Sequence, residues 1–241
     1  MSKSDPQFLA ELQEQALQAQ DRFMQNIATR LRRPLVTEPP MHPFQGPPEY
    51  WDHFTLEPEQ RIALFMENWD KVGGHARRLA SMEEAKTFII NQAREMKAKY
   101  LIRQNQPELA QLGLEDALPE AHISTWDSSD PDEMKRIAAG ADIGLLIADH
   151  AAAYTGSIVV KSAGAQGRTV SLLPTAMFAL IPAERLATRL GEILPQFDNA
   201  SPSGMPAGIH VISGPSRSAD IENDLTIGVH GPGIVYALII G

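Results

Sequence analysis

Residues Ile143-Gly144-Leu145-Leu146-Ile147-Ala148 carry no polar side chain. A strand with one solvated face alternates apolar and polar positions, whereas a strand apolar throughout is covered on both faces. The run is strand-sized and too short for a helix. A strand of this kind demands layers on both sides of a sheet. Further strand-length segments are expected at 76–80, 100–103, 122–126, 157–161, 176–181, 209–212, 225–229 and 235–240. Helical patterns fall between many of them, at 58–72, 82–99, 107–112, 131–139 and 182–194. Ser81-Met82-Glu83-Glu84 has the spacing of a capping box, and Asp130-Pro131 reads as a helix start. Alternation of this kind predicts an α/β fold, a mostly parallel sheet flanked by helices. The last three strands lie close in sequence, so part of the sheet is expected to be antiparallel.

The chain changes character near Pro34. Leu9, Leu12, Ala16, Phe23, Ile27 and Leu31 share one helical face. Asp5 and Pro6 suit its start, Arg30, Arg32 and Arg33 suit its negative end, and Pro34 stops it. This apolar stripe must be covered by its own domain or by another copy of the chain, which would make a homo-oligomer. Residues 34–58 hold seven of the 18 prolines, and the stretch 37–48 cannot be regular helix or central strand. Phe44, Tyr50, Trp51 and Phe54 would anchor that stretch as an extended strap. The expected division is an amphipathic helix at 1–33, a Pro-rich arm at 34–56 and an α/β domain at 57–241.

Composition removes several functions. There is no cysteine, which excludes disulfides, a thiolate zinc site, a Cys-ligated iron–sulfur cluster and a cysteine nucleophile. The net charge of −9 argues against nucleic acid as the main partner. No apolar run approaches the roughly 20 residues of a membrane span, and the first residues lack a signal-peptide core. The expectation is a soluble, cytoplasmic protein. P-loop, G-x-G-x-x-G and His-Glu-x-x-His motifs are absent, and Gly214-Pro215-Ser216-Arg217-Ser218 misses the second glycine of a nucleophile elbow. His150, His210 and His230, with Asp149, Asp220, Glu222 and Asp224, lack ligand spacing, so neither a metal nor a cofactor is expected.

Three segments look functional. In Ala151–Ser157, Thr155, Gly156 and Ser157 make a small polar turn whose N–H and O–H groups can cradle an anion, or simply a tight turn. In 164–174, Arg168 stands on a Gly-rich loop; between residues 141 and 181 the only cations besides histidine are Lys161 and Arg168. Arg168 would bind a carboxylate or phosphate, or pair with an acid such as Asp149. In 213–222, Ser213, Gly214, Ser216, Arg217, Asp220 and Glu222 are crowded between apolar strands, and Gly228-Val229-His230-Gly231-Pro232 follows. Ser216 or Ser218 could cap a helical turn; Arg217 would bind an anion or lock Asp220 or Glu222. Each segment follows a predicted strand, so the three are expected to converge on one ligand pocket.

The same residues carry a family likeness. Thr155-Gly156-Ser157, Gly167-Arg168 with Ser171-Leu172-Leu173-Pro174, Ser213-Gly214-Pro215-Ser216 with Ala219-Asp220-Ile221-Glu222, and Gly228-Val229-His230-Gly231-Pro232 resemble the lactate-utilization protein C (LutC) group of the LUD-domain family. The last stretch is the most specific part. The resemblance implies a fold related to the ribose-5-phosphate isomerase and CoA-transferase group. It also implies a part in oxidising L-lactate to pyruvate with iron–sulfur partner proteins, and it carries over no catalytic residue. Tyr154 stands where many of that family have Glu. Without cysteine the chain would be an accessory subunit that binds a small anion, with electron transfer done elsewhere. The alternative is an isomerase- or transferase-type enzyme acting on a phosphorylated or CoA-linked small molecule.

Overall fold

The structure is a computed structural model that describes residues 6–35, 38, 54–198, 205–219 and 225–241. The chain divides into two units, 1–52 and 53–241. In the first, α1 spans Pro6–Arg30. Arg32 takes a left-handed φ of 53° and the Arg33 N–H reaches back to Ala28 O at 3.1 Å, which closes the helix just before Pro34. Leu9, Leu12, Phe23 and Leu31 of the expected stripe are exposed. Asp5, Asp220, Glu222, Asp224 and nearly all of the Pro-rich arm lie outside the described residues.

The second unit runs α2 (Pro58–Lys71), β1 (His75–Leu79), α3 (Met82–Glu95), β2 (Tyr100–Arg103), α4 (Pro107–Gln111), α5 (Leu114–Ala117), β3 (His122–Thr125), α6 (Pro131–Ala139) and β4 (Ile143–Ile147). It continues with β5 (His150–Ala152), β6 (Ser157–Ser162), α7 (Thr169–Leu172), β7 (Ala176–Pro182), a 3-10 turn (Ala183–Arg185), β8 (Leu186–Ala187), α8 (Leu190–Ile193) and α9 (Pro195–Asp198). Then come β9 (Gly208–Ile212), β10 (Arg217–Ala219), β11 (Leu225–Ile227) and β12 (Ile234–Ile240).

Six strands form one sheet in the order β1-β12-β7-β4-β2-β3, and every pair in it is parallel. β4 is buried at all five positions, as its composition demands. One face carries Leu146, Met177 and Ala237 against Phe65 and Trp69 of α2 and Ile158 and Val160 of β6. The other carries Leu145, Phe178 and Leu238 against Ala85 and Ile89 of α3 and Leu109 and Leu114. Each fully buried large apolar side chain here contributes about 1.5–3 kcal/mol relative to exposure. Helix starts obey local chemistry. Ser81 Oγ accepts from the Glu84 N–H at 3.3 Å, while Glu84 Oε2 accepts from the Ala80 N–H at 2.8 Å. Asp130 Oδ1 accepts from the Glu133 N–H at 3.0 Å.

Antiparallel pairing is confined to smaller sheets. β8-β5-β6-β9 form a second sheet over the α2 face, and β10-β11 form a hairpin. Two local expectations differ from this. Residues 182–194 do not make one helix, because Leu186 and Ala187 pair with Ala151 and Ala152 as a parallel strand. Arg217 to Ala219 form a strand paired with Leu225–Ile227 rather than a helical turn. In both places a long-range ladder overrides a weak local pattern.

Candidate functional site

The first and third segments meet. Asn68 of α2 donates its Nδ2 to Ala153 O and Tyr154 O, each at 3.0 Å, and so holds the β5–β6 turn. Gly156 has φ 55°, and a Cβ there would stand 2.9 Å from the Asn68 backbone. The Ser157 hydroxyl lies 2.8 Å from Thr155 Oγ1 and 2.7 Å from Ser213 Oγ, so three hydroxyls share one hydrogen-bonded chain. Gly214 has φ 82° and lies against Val72, where a Cβ would come within 2.5 Å of Val72 Cγ2. Arg217 donates its Nη2 to Val72 O at the C-terminal end of α2, a carbonyl and dipole end that favour a cation. The loop continues through Ser216 N–H to Pro232 O and Gly228 N–H to Ser216 O, both 2.9 Å.

This gathering sits at the amino edge of the main sheet, since Gly233, just before β12, donates to Thr175 O just before β7 at 3.1 Å. A cavity of about 620 Å³ opens there, lined by Leu172, Leu173, Ile227, Val229 and the exposed His230. Tyr154 is half-exposed and meets the ring of Phe54 edge-on at 5.9 Å.

Among the described residues, no hydrogen bond or ion pair joins the Arg168 side chain to that gathering. The Arg168 loop is pinned by the Trp126 indole, which donates to Gly164 O at 3.0 Å. Arg168 is exposed, and among the described residues it forms no ion pair. Asp149 pairs instead with Lys161, at 3.3 Å to the ammonium and 2.8 Å to the backbone N–H. His210 on β9, opposite Val160 of β6, feels the Arg168 charge. Burial first, and the Arg168 charge second, hold the His210 imidazole below its ordinary pKa. Its Nε2 lies 2.8 Å from Ser162 Oγ. The imidazole and the Ser162 hydroxyl are in contact, within the electrostatic reach of the Arg168 guanidinium. Such a set can take a carboxylate on the cation and a hydroxyl on the imidazole or serine.

A third place escaped the sequence reading. Beyond the carboxyl ends of β2, β4, β7 and β12 lie two cavities, of about 480 and about 320 Å³. Both are lined by Glu108, Ile147 and Arg185, which makes them lobes of one crevice. The chain leaves β2 toward α4 on one face and β4 toward the second sheet on the other, and such a reversal opens a crevice. Gln106 forms its wall: its amide accepts from the Ile147 N–H at 2.9 Å and donates to Ile147 O at 3.1 Å. Arg185 is held by an Nη1 bond to Ala148 O at 2.9 Å. A helix pattern over 182–194 concealed it; an Arg three residues after the Pro that ends a buried strand was the available signal. Among the described residues, no group of three or more His, Asp or Glu could hold a metal ion.

The LUD domain family profile matches residues 62–240. The chain belongs to the LUD domain family. "Lactate utilization protein C" of Halalkalibacterium halodurans is 32% identical over 219 residues, which cover 90% of this chain and 95% of that protein. "Lactate utilization protein C" of Oceanobacillus iheyensis is 29% identical, covering 93% of this chain and 99% of that protein. A crystal structure of a DUF162 family protein from Deinococcus radiodurans superimposes with a TM-score of 0.56 at 16% identity. It covers 77% of this chain and 99% of that one, and it supports the fold of this LUD domain.

Proposed function

We propose that this LUD domain protein serves lactate utilization in the cytoplasm as a non-redox subunit beside iron–sulfur proteins, binding a small hydroxycarboxylate. The likeness to proteins named for lactate utilization, over nearly their whole length, supports the process. The absence of cysteine supports the division of labour, because the chain has no thiolate with which to ligate a cluster. The observation that carries the ligand is the His210–Ser162 contact within the electrostatic reach of Arg168. Arg168 takes the carboxylate as a two-pronged donor, and His210 with Ser162 meets the 2-hydroxyl. In this reading Thr155, Gly156, Ser157, Ser213, Gly214, Ser216 and Arg217 fix the loops at the amino edge, and His230 lines the cavity beside them.

Affinity purification of the tagged chain from its native cells tests the proposal. Co-purification of iron–sulfur proteins with lactate-dependent electron transfer is the expected result. Turnover of a phosphorylated or CoA-linked compound by the chain alone would replace the proposal with the isomerase- or transferase-type reading.

A further inference from the structure

The carboxyl-end crevice has the wrong charge for a plain anion. Its larger lobe is lined by Glu83, Glu108 and Glu184 against one cation, Arg185. Glu83 is partly offset by Lys86 at 4.0 Å, but Glu108 and Glu184 form no ion pair among the described residues. A monocarboxylate on Arg185 would face two uncompensated carboxylates. An amine on Glu108 would leave the guanidinium unused, although one bond to Ala148 O engages only one of its five N–H donors. A zwitterion answers both. Apart from the Gln111 amide, the remaining wall is apolar, with Met82, Leu112, Leu180 and Ile240 among it.

We propose that this crevice binds an α-amino acid with an aliphatic or thioether side chain, independently of the Arg168 site. Its carboxylate lies on Arg185, its ammonium on Glu108, and its side chain among Leu112, Leu180 and Ile240. Asn105 and Gln166, which line the smaller lobe, supply further donors to the carboxylate. Glu108 is shared by both lobes and sets the preference for a zwitterion over a simple acid.

Calorimetry on the full chain with L-leucine, 4-methylpentanoate, 3-methylbutylamine and glycine tests this. Leucine is expected to bind, and each compound lacking one of its three features to bind at least about tenfold more weakly. Glu108→Gln should weaken leucine by about tenfold or more and leave 4-methylpentanoate unchanged or tighter. Arg185→Gln should weaken leucine and leave 3-methylbutylamine unchanged. Glu108 is exposed and forms no bond among the described residues, so its variant keeps the test decisive if Arg185→Gln fails to fold. No heat with leucine, or parental leucine affinity in Glu108→Gln, overturns the proposal.

Discussion

Ser157 and Ser213 lie hydroxyl to hydroxyl at 2.7 Å across a sequence separation of 56 residues. Ser157 is 1% exposed, so its oxygen has no water to fall back on. Removing it breaks the side-chain link between the Thr155 turn and the Ser213 loop. Ser157→Ala should therefore destabilise the fold by about 1–2 kcal/mol, read as a lower urea midpoint with unchanged slope.

Arg217 clamps the end of α2 through Val72 O, so its first role is in stability. Arg217→Ala should cost about 1 kcal/mol in urea unfolding, while the affinity for L-lactate stays at the parental value. A loss of lactate affinity without a loss of stability would move the anion to the amino edge.

Gly144 on β4 faces Val170 O of α7, and a Cβ there would stand 2.1 Å from that oxygen. The obstacle is backbone, so α7 must move off the sheet. Gly144→Ala should cost about 2–3 kcal/mol by thermal or chemical unfolding.

His150 and His210 are both held below their ordinary pKa, chiefly by burial, with Lys161 adding at His150 and Arg168 at His210. The unfolded chain therefore takes up protons near about pH 6.5 where the folded one resists. Their contribution to stability is complete above that pH. It is lost as the pH falls toward the lowered folded values. Urea midpoints should drop between pH 7.5 and 5.5, and His150→Gln with His210→Gln should flatten that drop.

We propose that the exposed Leu12 and Phe23 on α1 meet a second copy of the chain. Leu12→Asp with Phe23→Asp should lower the mass seen by light scattering and leave the far-UV spectrum of the 53–241 unit intact.

The parallel sheet was legible because β4 is apolar at every position and because Ser81 and Asp130 announce helices by side-chain chemistry that acts within four residues. The second sheet was not. β5 and β8 are three and two residues long and exist only through the pairing of Ala151 with Leu186 and Ala152 with Ala187, which no local pattern encodes. The same hidden ladder concealed Arg185. Among the candidate residues, Ser157 and Ser213 of two hydroxyl-rich turns come together. Their composition could not tell which end of the sheet they occupy, because that depends on β6 and β9 belonging to a separate sheet.

The account rests most directly on a carboxylate at Arg168, and the His210 imidazole reports it. NMR titration of His210 should give a pKa that climbs toward the ordinary value when L-lactate is added, because the bound anion neutralises the guanidinium charge that lowers it. In Arg168→Ala the pKa should start higher and ignore lactate, remaining below the ordinary value because burial is the larger cause. Identical titration curves for the parent with and without lactate would contradict the account.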